Sequence, residues 1–416
     1  MTKSPAPRFW TRDSVAVFAL FTAAYFMSYF YRSANAVIAP DLARDMQLGA
    51  AQLGLMTSLF YGVFAAIQLP MGVALDRWGP RWVTPSLLLV GVIGSLTFAA
   101  APSFIWLAVG RALLGLGMAG CLMGSLKILS QWFPAARFAT VSGALVGIGA
   151  LGALVAATPM AWVNNLAGWR VIFVGGAVIT SLVAALIMVW TRNAPPGVEW
   201  RSTGGAGGSL AAVFAEPRFW RIAPLAFFLA GAVLSFQGLW AGPYLYDGLG
   251  LNEIQVGNLL LVLGIGVTAG YGLSGWIADR FGLGRVMRMV TIFFWLSQLA
   301  LALIPPLWLI GPLYLLFGFT GGFNVMMLAH IRRIFPLAMM GKAASALNLF
   351  AIGGTFMVQW WMGLIIESFA PVAPGQYPPA AYTAALLFTG VGSFLAWVWY
   401  WPFGGRQETV PPPAAD

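Results

Sequence analysis

Residues 72–81 read Gly72-Val73-Ala74-Leu75-Asp76-Arg77-Trp78-Gly79-Pro80-Arg81, and residues 275–285 read Gly275-Trp276-Ile277-Ala278-Asp279-Arg280-Phe281-Gly282-Leu283-Gly284-Arg285. The two stretches share a glycine, an Asp-Arg pair and a second glycine at the same spacing, 203 residues apart. A second echo pairs Trp132-Phe133-Pro134 with Ile334-Phe335-Pro336, 202 residues apart. The chain therefore reads as two duplicated units, an arrangement common among secondary transporters.

Each copy follows a long apolar run. The whole chain is 60% hydrophobic and only 8% charged, whereas soluble domains carry about a quarter charged residues. Apolar runs of about 20 residues cross a hydrocarbon core of roughly 30 Å as helices. Splitting the chain at charges, prolines and glycine clusters predicts helices over 14–38, 52–75, 83–101, 103–130, 138–160 and 169–190, and again over 219–246, 253–276, 286–305, 309–332, 339–368 and 381–402. The expectation is an all-α membrane protein of twelve helices: a six-helix bundle over 1–192, a linker over 193–216, a second bundle over 217–403 and a tail over 404–416. The linker is rich in Pro, Gly and Ser, and the tail holds Pro411, Pro412 and Pro413; neither buries enough apolar area to fold alone.

Loops facing the cytoplasm accumulate Lys and Arg. With the N-terminus inside, only Arg44 and Arg170 of the 22 basic residues fall outside, and Arg32, Arg111 and Lys127 fall within helices. Both termini and the linker are thus expected in the cytoplasm, in a bacterial inner membrane. The net charge of +10 follows from this topology; the basic residues are scattered singly and form no nucleic-acid patch. The single cysteine, Cys121, lies in an apolar segment, so an internal disulfide and a cysteine metal cluster are excluded. No cofactor is expected, and no nucleophile, base and orienting residue support an enzyme. A monomer is expected.

The Gly-Asp-Arg stretches, the helix count and the central linker resemble the major facilitator superfamily over the whole chain. The resemblance implies that the loop after helix 2 is a latch closing the cytoplasmic side in the outward-open state. Gly72 and Gly275 suit close helix approach, and Asp76 and Asp279 can pair with arginines. Arg77, Arg81, Arg280 and Arg285 are either part of that latch or membrane anchors. The resemblance also makes helices 1, 4, 7 and 10 the walls of a solute site near the midplane.

An ionisable group inside the membrane costs at least about 2.5 kcal/mol and is a functional suspect. None of the twelve carboxylates falls clearly in mid-helix; the candidates Arg32, Arg111, Lys127 and His330 are basic or neutral. A positive interior favours a small anionic solute. On helix 1, Tyr25, Ser28, Tyr29, Arg32 and Asn35 share one face. The Arg32 guanidinium can hold a carboxylate or phosphate through two parallel hydrogen bonds; alternatively it pairs with a carbonyl or snorkels outward. Residues 29–42 are similar to helix 1 of the superfamily's organophosphate antiporters and anion-cation symporters, where an arginine binds the anion. Helix 7 has no arginine to complete the antiporters' clamp, which leans the reading towards carboxylates.

Arg111 and Lys127 lie about 160° apart on a straight helix, so both cannot face one cavity. Arg111-Ala112-Leu113-Leu114-Gly115-Leu116-Gly117 resembles the superfamily's helix 4 motif, whose arginine has been tied to proton coupling or to structure; Lys127 could reach the inner vestibule. His330, the only histidine, is a candidate proton carrier or a hydrogen-bonded core residue. Phe323, Met326, Met327 and His330 share a face that suits packing better than copper, so no metal is expected. Further lining candidates are Gln237, Trp240 and Tyr244 on helix 7 and Asn348, Thr355 and Gln359 on helix 11. The reading is transport of an organic anion by proton symport or anion exchange. Its rivals are a proton-coupled drug or metabolite exporter and a transporter-like receptor; helix 5 lacks the Gly-Pro pair of the drug-antiporter signature.

Overall fold

A computed structural model describes residues 11–198, 210–336 and 339–404. Residues 1–10, 199–209 of the expected linker and all of the tail beyond Gly404 lie outside the described residues. Helix 1 comprises Arg12–Ser33 and Asn35–Met46, helix 2 Ala50–Trp78, helix 3 Pro80–Ala99, and helix 4 Phe104–Met118 and Cys121–Trp132. Helix 5 begins as Ala135–Val155 and is followed by Thr158–Trp190, which contains helix 6. After a short helix, Leu210–Ala215, helix 7 comprises Phe219–Ser235, a π-turn Phe236–Trp240 and Ala241–Leu249. Helices 8, 9, 11 and 12 are Glu253–Phe281, Leu283–Ala302, Met340–Glu367 and Pro379–Gly404, and helix 10 is Leu307–Gly322, Phe323–Met326 and Met327–Ile334.

Among the described residues, eleven stretches are long and apolar enough to cross a membrane, one of them 51 residues, Thr140–Trp190. At 1.5 Å per residue that stretch is about 76 Å long, more than two bilayer cores. The backbone turns inside it at Gly168, with φ of 76°, a conformation glycine adopts without Cβ strain. Twelve crossings result, and the start of helix 1 and the end of helix 12 share one face, here the terminal face. Large apolar side chains such as Ile105, Val178 and Trp308 stay exposed around the bundle, as lipid solvation allows.

The expected end of helix 1 near residue 38 is exceeded, since a helix continues to Met46 with Pro40 inside it. Proline has no N–H to donate to the carbonyl four residues back. That carbonyl, Ala36 O, instead meets Gly242 of helix 7, where an added Cβ would overlap it.

The internal repeat extends to packing. A Cβ at Gly115 would strike the Phe60 carbonyl, and one at Gly318, 203 residues on, would strike the Leu263 carbonyl. Gly152 stands against the Phe26 carbonyl and Gly354 against that of Phe227, again in equivalent places of the two bundles. Without a hydrophobic drive between helices in lipid, such backbone contact is a main source of association. The two Gly-Asp-Arg turns match as well: Gly79 and Gly282 each end a helix with φ of 79° and 87°. Gly152→Ala should lower the melting temperature, costing about 1–3 kcal/mol of stability, as followed by tryptophan fluorescence. Gly143→Ala, whose Cβ meets nothing within 4 Å, should leave it unchanged or raise it.

Candidate functional site

Helices 1, 4, 7 and 10 are each interrupted near the middle: at Ala34, at Ala119–Gly120, by the π-turn over Phe236–Trp240 and by the tight turn over Phe323–Met326. Broken helices free backbone groups, and at membrane depth that is tolerated where the chain is buried in protein or lines a cavity. Beside these breaks lies a cavity of about 320 Å³, lined on helix 1 by Tyr25, Ser28, Tyr29 and Arg32, on helix 2 by Phe64 and Gln68, and on helix 4 by Met118, Ala119, Leu122 and Met123. The second bundle contributes Ala230 and Leu234 of helix 7, Tyr271 of helix 8, Asn324 and Leu328 of helix 10, and Asn348 of helix 11, among others. On every helix these positions lie from the middle towards the terminal face. Met123 and Leu328, each 44% exposed, mark the mouth on that side.

The other side is closed by contacts between the bundles. The Tyr246 hydroxyl donates to the Val37 carbonyl at 3.2 Å, and the Thr158 hydroxyl to Asn258 Oδ1 at 2.9 Å. Helices 2 and 11 touch at Gly54 and Gly363, and helices 5 and 8 at Gly257. The cavity therefore faces the terminal side.

Among the described residues, Arg32 is the one charged residue in the cavity wall. Its Nη2 donates to Ser28 Oγ at 3.4 Å, its guanidinium lies 4.9 Å from the Tyr29 ring centre and 5.4 Å from that of Phe64, and its Nε finds no protein partner. No acidic side chain pairs with it among the described residues: the four ion pairs there are Arg44–Asp41, Lys127–Asp76, Arg170–Asp45 and Arg218–Glu216. Tyrosines surround it, with Tyr25 and Tyr29 in edge contact at 5.1 Å. A guanidinium stacked on aromatic rings, with a buried Nε that lacks a protein partner, has a donor to give to a planar anion.

The sequence-predicted residues divide into three groups. Tyr25, Tyr29, Arg32 and Asn348 line the cavity. Asn35, Gln237, Trp240 and Gln359 are buried deeper, towards the closed side. Asn35 Nδ2 donates to Thr57 Oγ1 at 2.7 Å and Trp240 Nε1 to the Gln359 carbonyl at 3.0 Å. Tyr244 and Thr355 are buried there too, hydrogen-bonded to the carbonyls of Leu301 and Ala351. Lys127, Arg111 and His330 are absent from the cavity wall. Lys127 pairs with Asp76. Arg111 is buried between Phe98 and Phe173 and donates to the Tyr31 carbonyl at 2.9 Å, holding helix 1 next to Arg32. His330 Nε2 is 2.8 Å from the Tyr400 hydroxyl, inside the second bundle. The break in helix 4 does not bring Arg111 and Lys127 to one face.

Sequence reasoning missed Phe64, Gln68, Tyr271 and Asn324. Gln68, Tyr271 and Asn324 are polar side chains inside apolar runs, the same signal that marked helix 1, but they occur singly and form no stripe.

At the terminal face Arg81 binds within its own bundle: its N–H donates to Asn193 Oδ1 at 2.8 Å and its Nη2 to the Met188 carbonyl at 3.1 Å. Arg77 stacks on Trp78. In the second copy Asp279 and Arg280 end helix 8, while Arg285 opens helix 9. The close approach expected at Gly72 and Gly275 does not occur, because a Cβ at either would meet nothing within 4 Å. With the cavity facing this side, the helices stand apart at these two glycines.

The sequence model of the Major Facilitator Superfamily matches residues 21–358. A hexuronate transporter of Bacillus subtilis (strain 168) is 25% identical over 277 residues, 65% of each chain. A putative tartrate transporter of Agrobacterium vitis is 25% identical over 282 residues, 62% of this chain and 64% of that one. The matched region thus spans just under two thirds of these relatives. Among solved structures, a bacterial homolog of the human lysosomal transporter Spinster, in an inward-facing and unoccupied conformation, superposes with a TM-score of 0.77 at 20% identity, covering 96% of this chain and 98% of that one.

Tyr400→Phe should leave the buried His330 ring nitrogen without this partner and cost about 1–3 kcal/mol of stability. Because the pair lies away from the cavity, solute affinity measured by calorimetry should not change.

Proposed function

The chain belongs to the Major Facilitator Superfamily, a family of membrane transporters and not of enzymes, and from that premise we propose that it carries a small organic carboxylate by alternating access. Arg32 is the observation that carries this reading. Taking an unpaired cation out of water is costly, so a guanidinium kept at a cavity wall without a carboxylate is best explained by a ligand that supplies the negative charge. A carboxylate would take hydrogen bonds from the guanidinium, whose Nε has no protein partner, while Tyr25, Tyr29, Ser28 and Asn348 offer hydroxyl and amide partners to the rest of the solute. The relatives named for hexuronate and tartrate, both hydroxylated carboxylates, support the same class.

Among the described residues the wall carries no acid to bind a proton beside the solute, and His330 is engaged with Tyr400. Anion exchange is therefore the coupling we favour over proton symport: each half-cycle returns the carrier with a second anion neutralising Arg32. The absence of a wall carboxylate also weighs against export of a cationic drug. Basic residues near the helix ends support cytoplasmic termini in a bacterial inner membrane.

Purified protein in liposomes should take up labelled hexuronate or tartrate, faster when the vesicles hold unlabelled anion and without response to a proton ionophore. Arg32→Ala should abolish saturable uptake. Arg32→Lys, which keeps the charge and loses the fork, should weaken affinity by about tenfold to a hundredfold. Unchanged uptake in Arg32→Ala would reject the anchor, and uptake driven by a pH gradient alone would replace exchange by symport.

A further inference from the structure

Helix 2 begins without a cap of its own. Its first residues, Ala50 and Ala51, present backbone N–H groups that the helix cannot satisfy, and the residue before them is Gly49, which has no side chain to accept a hydrogen bond. The equivalent helix of the second bundle, helix 8, is self-capped: Asn252 Oδ1 accepts from the Gln255 N–H at 3.0 Å, and Gln255 Oε1 accepts from the Asn252 N–H at 3.1 Å. Gly49 and Gln52 lie 203 residues before Asn252 and Gln255, the offset of the whole repeat. The glutamine is kept and still accepts from the Gly49 N–H at 3.2 Å. Only the cap is missing.

The other bundle supplies it. Glu367, the last residue of helix 11, accepts from the Ala51 N–H through Oε2 at 2.8 Å. Tyr377, in the connection to helix 12, accepts from the Ala50 N–H at 3.1 Å through its hydroxyl, and its own N–H donates to Asp247 Oδ2 at 3.1 Å. A Cβ at Gly49 would lie 2.5 Å from Glu367 Oε1, so the missing side chain is also what admits the carboxylate. A carboxylate at a helix N-terminus gains from both the orphan donors and the helix dipole. These contacts join the two bundles on the closed side, and alternating access would have to break them.

We propose that Glu367 and Tyr377, docked on the uncapped start of helix 2 at Gly49, form the latch that holds the outer gate shut while the cavity faces the terminal side. The proposal rests on the alternating-access reading. It assigns the one position where the repeat exchanges a capping asparagine for glycine to a gating role. When the bundles part on this side, Ala50, Ala51 and Glu367 go to water, and the outward-open state pays no clash at Gly49.

The test reads the gate without any solute. Nitroxide labels at Leu166→Cys and Leu303→Cys, exposed on the outer side of the two bundles, report their separation by pulsed electron paramagnetic resonance in a Cys121→Ala background. Glu367→Ala should add a longer distance component, raising the ratio of outward-open to inward-facing protein roughly five- to thirtyfold, as expected for a lost helix cap. Gly49→Asn, which gives helix 2 its own cap and crowds Glu367, should shift the ratio the same way while keeping helix 2 capped. Distance distributions unchanged from the parent in both variants would overturn the latch. If Glu367→Ala does not yield folded protein, Glu367→Gln with Gly49→Asn decides by the same readout. Because no transport is measured, failure of the latch is separate from failure of the anion reading.

Discussion

Everything in this protein is shaped by the lack of hydrogen-bond partners in hydrocarbon. Each backbone N–H and carbonyl must be satisfied within the protein, so the chain is helical nearly throughout, and each departure from helix needs a local reason. Helices 1, 4, 7 and 10 depart at mid-depth, around one cavity. Pro40 frees the Ala36 carbonyl where Gly242 approaches, and the π-turn at Phe236–Trp240 brings Gly238 near the Arg32 carbonyl and the Tyr61 hydroxyl. Interruption of the four helices and construction of the site are the same event.

The second constraint is closeness. Lipid tails compete with side chains for apolar contact, so helices associate where small residues let backbones meet. Equivalent glycines, Gly115 with Gly318 and Gly152 with Gly354, make these seams inside each bundle. Between the bundles the seams at Gly54, Gly242, Gly257 and Gly363 lie on the closed side. The proposed alternating access would keep the seams within each bundle and part those between the bundles.

Charge is distributed on the same plan. Among the described residues the four ion pairs sit away from the cavity, and Arg32 is the one charged side chain that lines it. Asp76 is held by Lys127, and Arg81 by Asn193 and Met188, so these groups of the Gly-Asp-Arg loop engage their own bundle. The corresponding bridge across the bundles is on the opposite face, at Glu367 and Gly49.

The sequence by itself determined the twelve crossings, because apolar length is a local property and the bilayer sets the length required. It also determined the repeat, and it singled out the stripe of Tyr25, Tyr29 and Arg32, because helical spacing places those residues on one face whatever packs against it. What it left open were properties that depend on neighbours far along the chain. Arg111, Lys127 and His330 look alike as isolated polar residues in apolar runs, yet one holds a helix 1 carbonyl, one an aspartate and one a tyrosine. Phe64, Tyr271 and Asn324 reach the cavity only because the packing of helices 2, 8 and 10 brings them there. Gly49 reads as an ordinary loop glycine until Glu367, 318 residues later, fills the space it leaves. Tertiary structure alone decides such pairings, since a side chain's partner in lipid is whatever the packing of distant helices delivers to it.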